Sequence, residues 1–150
     1  MIEPGEPYGF DWSFIGLERR AGVLQRVYKV YVGDRLLCGA VVRRRVLLPL
    51  WPRAAGWDDP ERWVDPARME RYDGMNVTSP FFIRRARGNF HISRARLSGV
   101  EVVPRNGAPG GITHSGALRL RFDHGRRREF LLLGRQNTDA LLSRLQPGGR

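Results

Sequence analysis

The sequence predicts an α+β fold dominated by antiparallel strands: a bent barrel or sandwich with a short helical insert near residues 51–75 and a C-terminal helix. Three observations lead there. From Ala117 to Phe122 the chain alternates, with Leu118, Leu120 and Phe122 on one face and Arg119 and Arg121 on the other. Asp123-His124-Gly125 supplies a turn, and Arg127 to Leu133 reads as the return strand. Thr138 to Leu145 then reads as a closing helix with Leu141, Leu142 and Leu145 on its apolar side.

The earlier elements follow from the same rules. Residues 1–22 mix Pro4, Gly5, Pro7 and Gly9 with Phe10, Trp12, Phe14 and Ile15, which predicts an irregular segment packed on the domain. Val23 to Val32 and Arg35 to Val42 form a hairpin about a two-residue Gly33-Asp34 turn, and Val46 to Leu50 continues as strand until Pro49 and Pro52. Asp59-Pro60 and Asp65-Pro66 each place a capping carboxylate before a proline at the first helical position, so two short helices begin there. Ser79-Pro80 leads into Phe81-Phe82-Ile83, where periodicity leaves helix and strand both open. Asn89 to Ser93 and Val100 to Val103 are further strands, and the Pro104 to Gly111 loop is an exposed connection. Residues 23–146 thus form one β-rich domain, with 147–150 a flexible tail.

The charge is lopsided. Against 15 Asp and Glu stand 26 Lys and Arg, a formal net charge of +11, and Lys29 is the only lysine. Codon bias in a GC-rich genome explains arginine in place of lysine, but not the surplus over acids. Such a surplus attracts polyanions, and guanidinium forks bind phosphate and carboxylate two bonds at a time. No apolar run reaches the length of a membrane span and the first residues lack a secretory pattern, so a cytoplasmic location is expected. Cys38, the sole cysteine, lies in an apolar run and is expected to be buried and inert.

Residues Asn89-Phe90-His91-Ile92-Ser93 through Val100-Glu101-Val102, followed by Gly116 to Phe122, Asp123-His124-Gly125, Glu129 to Leu133 and the closing helix, resemble bacterial pleckstrin-homology-like domains. The resemblance covers residues 88–146. It implies a seven-stranded, strongly bent sandwich or barrel with a C-terminal helix across one open end. It also implies a binding role, since members of that superfamily serve as phosphoinositide binders, peptide binders, scaffolds or membrane-associated subunits. The Trp-rich insert departs from the compact family pattern, so no ligand-binding loop is carried over.

Chemistry-bearing groups other than arginine fall to simpler readings. His91, His114 and His124 lack metal-ligand spacing, and the acids Asp58, Asp59, Glu61 and Asp65 are accounted for by the helix caps. His114, Ser115 and Asp123 have no nucleophile elbow to support hydrolysis. Gly107 to Gly111 lacks the ending of a phosphate loop, and Asn76-Val77-Thr78 is only formally a glycosylation site. No cofactor and no catalytic role are therefore expected. The candidate anion-binding residues are Arg43, Arg44 and Arg45; Arg84, Arg85 and Arg87, with Arg94 and Arg96 nearby; Arg119 and Arg121; and Arg126, Arg127 and Arg128. Strict alternation puts Arg128 on the face of Phe130 and Leu132, so either it lies past the core or a bulge resets the register. The expected function is a non-catalytic binding or scaffold module whose arginine-rich face engages a protein surface or an anionic lipid headgroup. Nucleic-acid binding through the same face is the alternative, although no recognition-helix, zinc-finger or RNA-recognition signature is present.

Overall fold

The computed structural model describes residues 12–19, 25–46, 57–72, 74–104 and 112–146, without the Arg19 and Arg45 side chains. Seven antiparallel strands make one curled sheet, a half-barrel. They are β1 (Ser13–Arg19), β2 (Gln25–Val32), β3 (Leu36–Val46), β4 (Phe90–Ser93), β5 (Leu97–Val103), β6 (His114–Phe122) and β7 (Arg126–Leu133). The sheet order is β4-β3-β2-β1-β7-β6-β5, so two meanders meet where β1 pairs with β7. Three α-helices accompany it: α1 (Pro66–Tyr72), α2 (Pro80–Arg85) and α3 (Thr138–Leu145), with a 3-10 turn at Pro60–Trp63.

The sheet curls because its two faces bury separate cores. Phe14, Tyr28, Leu37, Ile92, Leu97, Leu118, Leu120, Phe130 and Leu132 share one cluster with Leu141 and Leu145 of α3. Both edge strands, β4 and β5, contribute to it, so this is the concave face, filled by the last helix. Ile15, Leu17, Val27, Cys38, Ala40, Val42, Leu131 and Leu133 form the other cluster. Trp63, Val64, Tyr72, Val77 and Phe82 of the insert cover that convex face. The 117–133 hairpin and α3 thus agree with the sequence reading, and the β6–β7 turn places Asp123 and His124 at φ of 33° and 54°.

Several expectations need correction. The segment 1–22 is not irregular throughout, because Ser13–Arg19 is β1, the strand that joins the two meanders. Phe14 and Leu17 are buried on opposite faces, so β1 shows no polar alternation to betray it. The first hairpin turns at Asp34-Arg35 rather than Gly33-Asp34: Val32 pairs with Leu37, and the Gly33 amide donates to the Leu36 carbonyl at 2.9 Å. A tip one residue earlier would set Arg35 against Val32, which lies in the concave core. Arg43-Arg44-Arg45 does not separate two strands but lies inside the 11-residue β3, where register shifts against β2 disturb the alternation. Residues 81–86, left open between helix and strand, are largely helical: Ser79 Oγ accepts from the Phe81 amide and Pro80 occupies the first turn of α2. The calculated caps at Asp59 and Asp65 are present, accepting from Glu61 N at 3.0 Å and Ala67 N at 3.1 Å. The expected strand residues 47–50, the 105–111 part of the loop and the 147–150 tail lie outside the described residues.

Gly134 fastens the insert to the sheet. Its φ is +67°, and a Cβ there would stand 2.4 Å from the Asp58 carbonyl oxygen and 2.9 Å from Pro60 N. The Arg135 amide donates to that same Asp58 carbonyl at 2.7 Å. Backbone cannot yield as a flexible side chain can. Gly134→Ala is therefore expected to destabilise the fold by more than about 2 kcal/mol, from left-handed strain plus the clash. Urea unfolding of the variant beside Gly125→Ala, where a Cβ meets nothing within 4 Å, separates the clash from the strain.

Candidate anion-binding site

The site begins with a buried amide. Pairing of β3 with β4 runs from Leu36–Ser93 to Gly39–Phe90 and stops. Beyond it, the Val41 amide donates to Asn89 Oδ1 at 2.9 Å, and Asn89 Nδ2 donates to the Phe82 carbonyl at 2.8 Å. The Tyr72 hydroxyl lies 3.2 Å from the Val41 carbonyl and 3.3 Å from Asn89 Oδ1. One side chain therefore holds α1, α2 and the margin of β3 together.

Around this knot Arg26, Arg44, Arg68 and Arg85 come from separate stretches of chain, and the Arg87 carbonyl lies among them. Arg26 (β2) reaches Gly88: a Cβ on Gly88, whose φ is +103°, would sit 2.4 Å from Arg26 Nη1 and 3.1 Å from the Tyr28 hydroxyl. That hydroxyl donates to the Gly88 carbonyl at 3.0 Å. Arg44 (β3) donates through Nη2 to the carbonyl of Arg87, the neighbouring residue. Arg68 (α1) and Arg85 (α2) complete the group. Burial pushes the Arg44 guanidinium below its ordinary pKa, and the positive charges of Arg26 and Arg68 push it further the same way. Tyr72 reports the same field. Burial raises its hydroxyl pKa, while the Asn89 bond and the charges of Arg68, Arg44 and Arg85 pull it back. Among the described residues the carboxylate paired within this group is Asp65, 3.9 Å from Arg68 Nε. Cations are held together here with little to neutralise them.

The structure thus unites Arg44 and Arg85 of the expected residues, with exposed Arg84 beside Arg85 on α2 and exposed Arg87 offering Arg44 its carbonyl. Sequence reasoning missed Arg26 and Arg68. Each stands alone among unlike neighbours, so no run of basic residues marks it; only the register of β2 and the turn of α1 bring it in.

The remaining expected residues go elsewhere. Arg43 donates through Nε to the Trp63 carbonyl at 2.8 Å, tying β3 to the insert. Arg119 lies 3.1 Å from Glu129 and 3.8 Å from Glu101, and Arg121 lies 3.6 Å from Glu101, so this outward ladder balances its own charge. Arg126 and Arg127 are exposed at the start of β7. Arg94 donates to the Gly33 and Arg144 carbonyls, clasping the first hairpin to α3, and Arg96 pairs with Asp123 at 3.2 Å.

Arg128 resolves the register question. Pairing of β6 with β7 from Ala117–Leu131 to Phe122–Arg126 is unbroken, so no bulge intervenes. The guanidinium caps the concave core instead, its carbon 3.9 Å from the Phe90 ring centroid, and Nε lies 3.1 Å from Glu18 Oε2. Both side chains are largely buried, at 17% and 7% exposure. Arg128 is a structural cation, not part of the anion site.

No group of three or more His, Cys, Asp or Glu suited to a metal exists among the described residues. His91 Nε2 lies 2.6 Å from the Val77 carbonyl, and His114 Nδ1 accepts from the Gly116 amide. A cleft of about 220 Å³ lies beside the start of α3, lined by Trp12, Phe14, Pro60 and Gln136 among others. Its amides are already engaged: Gln136 bridges the Ile15 amide and carbonyl, and Asn137 caps Ala140. No described helix is long and apolar enough to cross a membrane. Comparison with protein-family models, with curated proteins and with solved structures finds no match for this chain.

Three measurements follow from this geometry. Removing one partner of a buried ion pair strands the other, so Arg128→Ala is expected to cost about 3–5 kcal/mol in denaturant unfolding. Burial pushes the Cys38 thiol from 9.0 up to about 12, so the folded protein should resist alkylation near neutral pH and react once unfolded. A raised thiol pKa adds stability that is intact below the unfolded value and declines as pH climbs above about 9. Equilibrium unfolding of wild type and Cys38→Ala through that range should show the wild type losing the difference.

Proposed function

We propose that this protein is a non-catalytic binding or scaffold module whose arginine cluster at Arg26, Arg44, Arg68, Arg85 and Arg87 engages an anionic partner. The observation that carries this reading is that Arg26 and Arg44 meet the chain at Gly88 and Arg87, where the charges of Arg68 and Arg85 also act on Arg44 and Tyr72, with Asp65 as the paired carboxylate. Cations pressed together repel one another, and a bound anion removes that repulsion. Phosphate or carboxylate fits the task, because each guanidinium offers a planar fork of donors. Guanidiniums keep their charge throughout the physiological range and neither give nor take protons, which suits them to holding a ligand rather than to proton transfer. The seven antiparallel strands and closing helix support the pleckstrin-like reading of the fold, in which binding and scaffolding are the usual occupations.

The test uses charge neutralisation rather than reversal, to spare the fold. Wild type and the triple variant Arg26→Gln, Arg44→Gln, Arg85→Gln are titrated with vesicles containing phosphatidylglycerol and, separately, with polyglutamate. Each arginine near an anionic surface contributes about 1 kcal/mol, so the triple variant should bind roughly a hundredfold more weakly to the wild type's preferred anion. Equal affinity of the two proteins for both probes refutes the reading. Tighter, steeply salt-dependent binding to duplex DNA than to either probe would turn the assignment to nucleic acid.

A further inference from the structure

The basic cluster has an apolar neighbour. Phe81 is 73% exposed and Ile83 39%, the large hydrophobic side chains that stand in solvent among the described residues. Both lie on α2, the six-residue helix that also carries exposed Arg84 and Arg85 and leads to exposed Arg87. Arg84 and Arg85 follow Phe81 by three and four positions, so they share its side of the helix.

Phe81 is not displaced from a loose core. Its neighbour Phe82 is fully buried against Tyr72 and His91, with ring centroids 5.8 Å and 5.4 Å away. The Ser79 cap and the Asn89 bond to the Phe82 carbonyl fix the first half of the helix. The ring at position 81 is therefore presented outward by a fixed support. Exposing it forfeits burial that a large aromatic side chain would otherwise gain.

We propose that α2 docks on an anionic bilayer, with Phe81 entering the boundary of the acyl chains while Arg84, Arg85 and Arg87 take lipid phosphates. This rests on the anionic-partner reading and names the partner. Charge complementarity decides the choice. An apolar tip flanked on one side by guanidiniums needs a surface that offers hydrocarbon just beneath fixed negative charge, and a bilayer with anionic lipid offers both at every point. A protein partner would have to supply a pocket for Phe81 ringed by carboxylates placed to match.

The buried thiol of Cys38 makes the test clean, since a cysteine introduced at position 81 is the one that takes a label. Phe81→Cys carrying an environment-sensitive dye is mixed with vesicles of phosphatidylcholine alone or with phosphatidylglycerol, and then with vesicles brominated on the acyl chains. A blue shift with phosphatidylglycerol and quenching by the brominated chains are expected. In flotation, full-length Phe81→Ser should lose about tenfold or more in vesicle affinity, as removal of an inserted aromatic predicts. Its unfolding midpoint should match wild type, because the Phe81 side chain stands in solvent. Vesicle binding that depends on the Arg26, Arg44 and Arg85 charges but ignores the serine variant, with no shift of the dye, overturns insertion and leaves the basic reading standing. Vesicle binding indifferent to those charges overturns the lipid docking, and polyglutamate binding equally indifferent overturns the basic reading itself. Binding to polyglutamate but to no vesicle assigns the face to an acidic protein and overturns the lipid docking.

Discussion

The amide of Asn89 is the constraint on which the basic end of the molecule depends. A buried side-chain amide must satisfy its polar atoms within the protein, since desolvating them without partners costs about 1–3 kcal/mol apiece. Asn89 does so by extending the sheet with a side chain. It accepts from Val41 just beyond the point where β4 ceases to pair, and it donates to the Phe82 carbonyl. Tyr72 closes the circle through its hydroxyl. These bonds add direction to the apolar contacts of α1 and α2 with the sheet, together with the Asp65 amide, which donates to the Val42 carbonyl at 3.1 Å, and the Arg44 bond to the Arg87 carbonyl. They hold the helices that carry Arg68 and Arg85 beside the strand that carries Arg44.

That arrangement also explains how one sheet carries two cores. A half-barrel whose concave side is filled by α3 leaves the opposite face of β1, β2 and β3 apolar. The insert covers it, anchored at Gly134 by backbone contact with Asp58 and at Trp63 by the Arg43 bond to its carbonyl. Where β7 no longer pairs with the first residues of β1, Gln136 bonds the amide and carbonyl of Ile15 as a strand would. The same device recurs: a side-chain amide continues a ladder the backbone has abandoned, which keeps buried polar groups paired.

Much of this was legible from residue order. Alternation in β6, the Asp-Pro caps and the leucines of α3 are local patterns, and local patterns survive into the structure. The misses share one cause. β1 is buried on both faces, Arg128 sits over Phe90 and Tyr28 despite its charge, and Arg26 and Arg68 join the cluster through pairing partners distant in sequence. A triplet such as Arg43-Arg44-Arg45 looks like one basic spot. Inside a disturbed strand, however, Arg43 and Arg44 serve different neighbours, Trp63 and Arg87.

The distribution of arginine across the fold separates structural charge from spare charge. Arg119 and Arg121 are matched by Glu101 and Glu129, Arg128 by Glu18, Arg96 by Asp123 and Arg135 by Asp58. These cations answer an acid or an aromatic ring, and exposed pairs of this kind add little to stability. The group around Asn89 follows a different logic. Placing Arg84 and Arg85 in the last turn of α2 sets them against the negative end of the helix, which partly offsets their mutual repulsion. The buried amide and the packed Phe82 supply the rest of the support. A fold that spends rigid packing to keep like charges close leaves them short of neutralising acids, with Asp65 as the carboxylate paired among them.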